Sequence, residues 1–152
     1  MSEAKLAPNM PKWMVDHVDK YLSSGGKEGH MYTLTPPNSA PITVPSLLLI
    51  TTGRKSGQKF LFPLFYGRTG DSYIIVASKG GAPDHPGWYK NLLAHPDIEI
   101  QVWDKVIPVT AHTGSAAEKQ RVWPAMVKEW PDYANYQAGT KRDIPVVFLR
   151  PR

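Results

Sequence analysis

The sequence contains no cysteine. The chain therefore forms no disulfide, offers no thiolate nucleophile and builds no cysteine-ligated metal site. Its five histidines lie at positions 17, 30, 85, 95 and 112, and their spacing is not that of metal ligands, so we expect no metal. Any redox chemistry must come from a bound cofactor.

Long apolar runs are also missing. No stretch approaches the roughly 18 apolar residues that a membrane span requires. The N-terminal residues MSEAKLAPNMPKW lack the basic, apolar and small-residue segments of a secretory signal. We therefore expect a cytoplasmic protein, and its 152 residues suit a single domain.

Acidic residues are fewer than basic ones. The chain has 13 Asp and Glu residues against 18 Lys and Arg residues, a formal charge of +5. This excess favours an anionic partner, which is a nucleic acid, a membrane surface or an acidic small molecule. The basic residues are scattered and no nucleic-acid-binding motif organises them, so we expect no nucleic-acid partner.

An amphipathic helix is predicted in the N-terminal segment 1–26. Its apolar stripe consists of Met10, Trp13, Met14, Val18, Tyr21 and Leu22. Asn9 is the expected cap, Pro11 fits the first turn, and Gly25 and Gly26 end the helix. Packing on the core is the favoured role of the stripe, while association with a membrane surface or coverage of a substrate stays open.

The remaining residues, 27–152, predict a mainly β (α+β) domain. Six apolar or alternating segments read as strands, at residues 44–52, 59–67, 72–78, 98–103, 105–112 and 144–150. The first three resemble a meander of hairpins, and Pro63 is expected at an edge or a bulge. Helices are expected at residues 85–96 and after the capping box of Ser115 and Glu118, with Pro124 kinking the second or starting a new one. About six strands with flanking helices suggest a small barrel.

The loop TTGRKSGQ (51–58) is rich in cations and hydroxyls. It lacks the spacing of a P-loop and of a dinucleotide-binding motif, and no helix follows it. Backbone amides near Gly53 and Gly57, with Arg54, Lys55 and Ser56, would converge on a phosphate. The alternative, more frequent for such a loop alone, is a solvated hairpin turn.

Two further segments carry a resemblance to a known family. Together with TTGRKSGQ, the stretches ASKGGAPDHPGWYKNL (77–92) and WPDYANYQAGTKRDIPVVFL (130–149) resemble the deazaflavin-dependent nitroreductase family of actinobacteria in order and spacing. The resemblance covers about Leu47 to Leu149. It implies a split β-barrel related to FMN-binding barrels, with reduced coenzyme F420, an 8-hydroxy-5-deazaflavin, as hydride donor. It further implies activated acceptors, namely quinones, nitroaromatics, and unsaturated lactones such as aflatoxins and coumarins.

The resemblance also implies a set of cofactor-binding residues. Those assigned to the phosphate and the anionic tail are Arg54, Lys55, Ser56, Gly57 and Lys79. Those assigned to the ring and its support are Val76, Ala77, Ser78, Trp88 and Asn91. Family members often continue GRKSGQ with Pro-Arg, and this chain has Lys59-Phe60, so one expected cation is displaced or missing.

Three late aromatic residues are the candidates for acceptor binding and catalysis. Tyr133 and Tyr136 share a face if their segment is helical, and Trp130 lies one turn earlier. On spacing alone such a stripe is typical of core packing. By resemblance Tyr133 binds the acceptor and supplies or orients a proton, with Tyr136 and Ser78 as further catalytic candidates.

The sequence thus predicts an F420-dependent reductase. Two alternatives stay open at this point: an FMN-dependent enzyme of the same barrel superfamily, and a non-catalytic F420 carrier docked to the membrane by the N-terminal helix. The physiological acceptor and the oligomeric state are not predicted.

Overall fold

Runs of β-branched, aliphatic and aromatic residues separated by short turns form the strands of the computed structural model, which describes residues 4–35 and 39–152. The first three residues of the predicted segment 1–26 lie outside the described residues. The strands are β1 (Lys5–Leu6), β2 (Met31–Leu34), β3 (Ile42–Thr52), β4 (Lys59–Phe65), β5 (Gly67–Thr69), β6 (Ser72–Val76), β7 (Asp97–Val102), β8 (Lys105–Thr113) and β9 (Val146–Pro151). The helices are α1 (Lys12–Ser24), α2 (Gly87–Ala94), α3 (Ala116–Glu129) and α4 (Asp132–Ala138), and Lys79–Gly81 forms one 3-10 turn.

The strands form one curved sheet. Its order is β1-β4-β3-β7-β8-β9-β6-β5, and β2 pairs with β3 outside this path. Strands β4 and β5 lie near opposite ends of the path, yet only Tyr66 separates them in sequence. The sheet must therefore curl until its ends meet, which makes a barrel around a core that includes Leu47, Leu49, Ile75, Ile100 and Val147.

The described residues form nine strands, so the expectation of about six was too low. The three additional strands, β1, β2 and β5, have two to four residues each. Strands this short are too brief to show a period-2 pattern, and their pairing with longer neighbours defines them.

The predicted meander was wrong in part. The hairpins β3–β4 and β7–β8 are present, with Leu49 opposite Phe62 in the first. Strand β6, however, pairs with β5 and with the distant β9, where Ile75 lies opposite Val147. Hairpins are local and visible in sequence spacing, whereas a pairing across some 70 residues is decided by how the barrel closes. Pro63 lies on β4 beyond the stretch that β1 covers, as its missing donor requires.

Helix α1 is confirmed, with one correction at its start. Asn9 does not cap it, because Pro11 is the extended N-cap residue and no side chain caps the helix. Gly25 ends the helix in the left-handed conformation, with φ of 64°.

The apolar face of α1 packs on the barrel, as the favoured reading of the stripe predicts. Val18 and Tyr21 are fully buried. The Tyr21 hydroxyl donates to the Ser46 carbonyl at 2.9 Å and accepts from the Trp103 amide at 3.0 Å, which fastens the helix to β3 and to the β7–β8 turn. No helix within the described ranges is long and apolar enough to cross a bilayer. Association with a membrane surface stays a prediction.

The C-terminal helices begin as predicted and then differ. Ser115 and Glu118 form the capping box, with the Ser115 amide donating to the Glu118 carboxylate at 2.8 Å. Helix α3 does not end at Pro124 but continues to Glu129, and buried Val122 and Met126 hold it to the core on either side. The next helix, α4, starts only after Pro131.

Candidate functional site

A cavity of about 920 Å³ opens on one side of the barrel. Its walls come from the N-terminal segment and α1, the β3–β4 hairpin, the end of β6, the start of α2, and α4. The volume lies at the upper end of the range typical of small-molecule sites. Among the described residues that line it none is acidic, whereas Arg54, Lys55 and Lys79 are basic. The cavity therefore favours anionic ligands.

The β3–β4 turn forms the cationic end of the cavity. The Gly53 amide donates to the Gln58 carbonyl at 2.7 Å, and the Gly57 amide donates to the Gly53 carbonyl at 2.9 Å. Gly57 has φ of 73°, a conformation that glycine adopts without strain. These bonds tighten the turn and leave the intervening side chains to project from it.

Three of the four residues predicted to hold a phosphate line the cavity. They are Arg54, Lys55 and Ser56, all exposed. Gly57 does not line it but shapes the turn, and its contact with the phosphate stays a prediction. A Gly-rich loop does not reveal which glycine faces a ligand and which only permits the bend.

Asn91 fixes this turn to helix α2. Its side-chain oxygen accepts from the Arg54 amide at 3.1 Å and from the Arg54 guanidinium at 2.9 Å. Its nitrogen donates to the Thr51 hydroxyl at 3.3 Å. Asn91 and Trp88 are both buried and both line the cavity, as predicted.

The displaced cation of this chain lies away from the cavity. The Lys59 ammonium is 3.9 Å from the Glu99 carboxylate, and Lys59 is not among the lining residues. Its neighbour Phe60 lines the cavity and lies against Gly53, where an added Cβ would come within 2.8 Å of the ring. Lys59 therefore does not replace the missing arginine.

The end of β6 provides a second wall. Val76, Ser78 and Lys79 line the cavity, as predicted, and Ala77 does not. The Ala77 amide donates to the Pro145 carbonyl at 2.9 Å, so the predicted backbone contact of Ala77 with a cofactor ring is not available through its N–H. Only the residues on either side, Val76 and Ser78, line the cavity, and their contact with the ring stays a prediction.

Arg142 holds this wall in place, and no sequence pattern predicts this role. Its guanidinium donates to the carbonyls of Ala82 at 2.8 Å, Ala77 at 3.2 Å and Ser78 at 2.7 Å. It also donates to Nδ1 of His85 at 3.0 Å, so that nitrogen is unprotonated. Burial, and then the Arg142 charge, lower the pKa of His85, which agrees with a neutral ring.

We expect Arg142→Lys to lower the free energy of unfolding by about 2 kcal/mol and to raise the cofactor Kd about tenfold. One ammonium cannot reach the three carbonyls that the planar guanidinium bridges. Urea denaturation and cofactor titration measure the two effects. The exposed Arg121 on α3 gives a matched control, and Arg121→Lys should change the free energy of unfolding by less than about 0.5 kcal/mol. Equal unfolding curves for the two variants would refute the clamp.

The aromatic end of the cavity lies around α4. Trp130, Tyr133 and Tyr136 all line it, and the first two are buried. The rings of Tyr133 and Tyr136 have centroids 6.3 Å apart, and the Trp130 indole donates to the Tyr136 hydroxyl at 3.5 Å. Trp130 precedes α4 and is not part of it, yet it joins the predicted group because Phe65 packs against it at 5.2 Å.

The hydroxyl of Tyr133 is available to a ligand. Within residues 4–35 and 39–152 it makes no hydrogen bond to the protein. Burial, and to a lesser degree Tyr136, raise the pKa of Tyr133 well above its usual value. The phenol therefore stays neutral and can donate a hydrogen bond at any physiological pH.

The N-terminal segment closes the cavity on a third side. Met10, Trp13, Met14 and His17 line it, which is compatible with the substrate-covering role left open for the helical stripe, and that role stays a prediction. The predicted apolar stripe contains the first three of these residues. His17 is one of five histidines without metal-ligand spacing, so the sequence alone assigns it no role. The one sequence feature that indicates its place in the cavity is its position one turn after Trp13.

The fold and the cavity define a class of protein. A β-barrel with a cavity that is cationic at one end and aromatic at the other suits a flat, anionic redox cofactor next to an aromatic substrate. The family model described as F420H(2)-dependent quinone reductase matches residues 13–151. The chain therefore belongs to the F420H(2)-dependent quinone reductase family.

Individual relatives agree with this membership. An F420H(2)-dependent quinone reductase of Mycobacterium tuberculosis strain H37Rv is 40% identical, over 95% of this chain and 99% of the relative. A solved F420-H2 dependent reductase (FDR-A) is 43% identical, with a TM-score of 0.65 over 70% of this chain and 94% of that one. A second structure, described as a domain-swapped dimer, is 37% identical, with a TM-score of 0.66 over 91% of this chain and 97% of that one.

Membership decides between the alternatives that the sequence left open. The protein is an F420-dependent oxidoreductase, and reduced F420, not FMN, is the cofactor of its family. The lining agrees, because F420 carries a phosphate and a polyglutamate tail, and the described wall offers three cations and no carboxylate. The β-rich fold with flanking helices, predicted as a split barrel, is likewise that of the solved reductase.

Proposed function

We propose that the protein reduces quinones bound at the aromatic end of the cavity, with reduced F420 supplying the hydride. One observation carries the proposal. The same cavity is lined by the cationic turn and by the buried residue Tyr133, whose hydroxyl has no hydrogen-bond partner among the described residues and is not sealed in the interior. The cavity therefore offers anchorage for an anionic cofactor and a proton donor for the acceptor. Family membership supports the quinone as acceptor class.

We propose that Arg54, Lys55 and Ser56 bind the cofactor phosphate and that Lys79 binds its carboxylate tail. These side chains line the cavity, and charge-assisted hydrogen bonds to phosphate are among the strongest a protein makes. The Asn91 bonds to Arg54 hold the turn in one shape, which lowers the entropy cost of binding.

A flat ring between the end of β6 and α2 would meet Val76 and Ser78 on one side and Trp88 on the other. All three are buried and line the cavity. The Arg142 bond to the Ser78 carbonyl fixes the backbone of this wall, and we propose that the Ser78 hydroxyl lies between the ring and the acceptor. Fixed walls hold two flat reactants at the short separation that hydride transfer needs.

We propose that Tyr133 donates a hydrogen bond to the acceptor oxygen that gains negative charge. A neutral phenol in a buried site stabilises a developing oxyanion strongly, because water does not compete for it. Tyr136 and Trp130 complete the aromatic wall against which the acceptor ring lies. Trp130 contributes a large, mostly apolar indole to this wall.

We further propose that other electron-poor conjugated acceptors react at the same place. Unsaturated lactones such as aflatoxins and coumarins present a carbonyl conjugated to the carbon that takes the hydride, and nitroaromatics present oxygens that take the proton. Both fit a wall made of aromatic rings with one donor.

A panel of acceptors tests the proposal. Anaerobic oxidation of reduced F420 is followed optically with menadione, with a coumarin and with a nitroaromatic. We expect the highest kcat/KM with menadione, because its carbonyl oxygen is both the site of charge and the partner of Tyr133. Reduced FMN serves as the control donor and should give no turnover above background. The proposal fails if no acceptor oxidises reduced F420 faster than it does without protein.

A further inference from the structure

His17 on α1 is buried, with 3% of its surface exposed, and yet lines the cavity. Its Nε2 lies 2.8 Å from the Gly29 carbonyl oxygen and 3.1 Å from the Ser46 hydroxyl. A carbonyl only accepts, so Nε2 must carry the proton. The Ser46 hydroxyl itself donates to the Gly29 carbonyl at 2.6 Å and so can accept from the ring.

This arrangement fixes the tautomer of His17. With Nε2 protonated, Nδ1 of the neutral ring carries a lone pair and accepts hydrogen bonds. Burial lowers the pKa of His17 despite the Gly29 bond, which favours the neutral ring. No residue in the described ranges bonds Nδ1, and this atom is not among those sealed in the interior without a partner. The acceptor nitrogen is therefore turned away from the Gly29 carbonyl and is not sealed in the interior, on a side chain that lines the cavity.

The β3–β4 hairpin places His17 at the aromatic end. Ser46, to which it bonds, lies opposite Phe65, and Phe65 packs against Trp130. The cationic turn 53–58 connects the same two strands at their other end, roughly 20 Å away along the strand. His17 is therefore far from the phosphate-binding turn.

The contacts of strand β2 also place His17 at the aromatic end of the cavity. The ring of His17 stacks on Tyr32, with centroids 3.9 Å apart. Tyr32 lies opposite Val44, and Val44 belongs to the buried cluster that contains Tyr133. His17 and Tyr133 are thus on walls that enclose the same part of the cavity.

We propose that His17 is an acceptor-binding residue whose Nδ1 accepts a hydrogen bond from a hydroxyl of the ligand at the aromatic end. The inference rests on the proposed quinone reductase function. A quinone offers two carbonyl oxygens and no donor. Uptake of one hydride and one proton turns both oxygens into hydroxyls, so a donor for Nδ1 arises only as the quinone is reduced. His17 therefore binds the reduced form better than the oxidised form, and the protein selects phenolic and hydroquinone ligands over their ethers.

Two substitutions separate this role from a structural one. In His17→Gln the amide nitrogen takes the place of Nε2 and keeps the bond to Gly29, while the acceptor at Nδ1 is lost. In His17→Asn the amide oxygen takes the place of Nδ1, and the bond to Gly29 is lost. We expect His17→Gln to keep its unfolding midpoint and to lower kcat for menadione about tenfold, with its KM little changed. We expect His17→Asn to unfold earlier and to keep most of kcat.

A pair of redox-inert probes tests the hydrogen bond directly. 1-Naphthol and 1-methoxynaphthalene have the ring size of menadione, and only the first has a donor. As inhibitors competitive with menadione, the naphthol should bind wild type about tenfold more tightly than the ether. The preference should vanish in His17→Gln and persist in His17→Asn. If His17→Gln keeps both the preference and kcat, the inference is wrong although the proposed function stands. If wild type does not turn over menadione, the proposed function itself has failed.

Discussion

Replacing Tyr133 with phenylalanine should lower kcat for menadione about 100-fold and leave the KM for reduced F420 within about twofold. The substitution removes one oxygen from a buried ring that packs on Trp123 and Tyr136, so the wall keeps its shape. The variant loses the hydroxyl that donates a hydrogen bond to the oxyanion, and this hydrogen bond exists mainly in the transition state. Steady-state kinetics under anaerobic conditions measure the change.

A buried tyrosine elsewhere gives the control. Tyr89 on α2 shares a hydrogen bond of 2.9 Å with the Thr113 hydroxyl and does not line the cavity. Tyr89→Phe should leave kcat within about twofold.

Because burial raises the pKa of Tyr133, wild-type kcat should also stay level up to about pH 10, where an ordinary tyrosine is half ionised. A Tyr133→Phe variant with unchanged kcat would remove Tyr133 from the chemistry.

Replacing Lys55 with alanine should raise the KM for reduced F420 about tenfold to 100-fold and leave kcat nearly unchanged. Lys55 is exposed on the turn, so the loss falls on binding and not on folding. A charge-assisted hydrogen bond to a phosphate accounts for an effect of this size, and the missing arginine after GRKSGQ leaves fewer cations to compensate. The KM of wild type should rise with salt more steeply than that of the variant.

Lys59 provides a matched cation for this experiment. It is close to Lys55 in sequence but lies near Glu99, outside the cavity lining. Lys59→Ala should leave the cofactor KM within about twofold. Equal KM changes in the two variants would mean that the net positive charge of the protein, and not the cationic turn, attracts the cofactor.

Local patterns in the sequence predicted much of the molecule. Helix α1 ends at Gly25 as expected, because a left-handed cap residue is readable from sequence. The capping box of α3 and the two tight hairpins are local in the same sense. The aromatic group of Trp130, Tyr133 and Tyr136 is predictable because its members are close in sequence. Trp130 lies just before α4, and the two tyrosines lie within it.

Features that depend on distant pairing could not be predicted. Arg142 contacts carbonyls some 60 residues earlier, and its position beside Lys141 in the sequence does not indicate a half-buried clamp. The tautomer of His17 depends on the Gly29 carbonyl, which precedes β2, and on Ser46 of β3. The amide of Ala77 donates to the Pro145 carbonyl, and no local sequence pattern indicates this bond between distant segments. In each case the physical cause is a hydrogen bond made only once the barrel has closed.

The central claim is that this cavity brings reduced F420 and a quinone together for hydride transfer. The most direct measurement mixes reduced F420 and excess protein with menadione in an anaerobic stopped-flow instrument and records the absorbance of the oxidised deazaflavin. We expect oxidation at a rate that saturates with menadione and exceeds the rate without protein by at least about 1000-fold. An oxidation rate equal to that without protein, with no saturation, would contradict it.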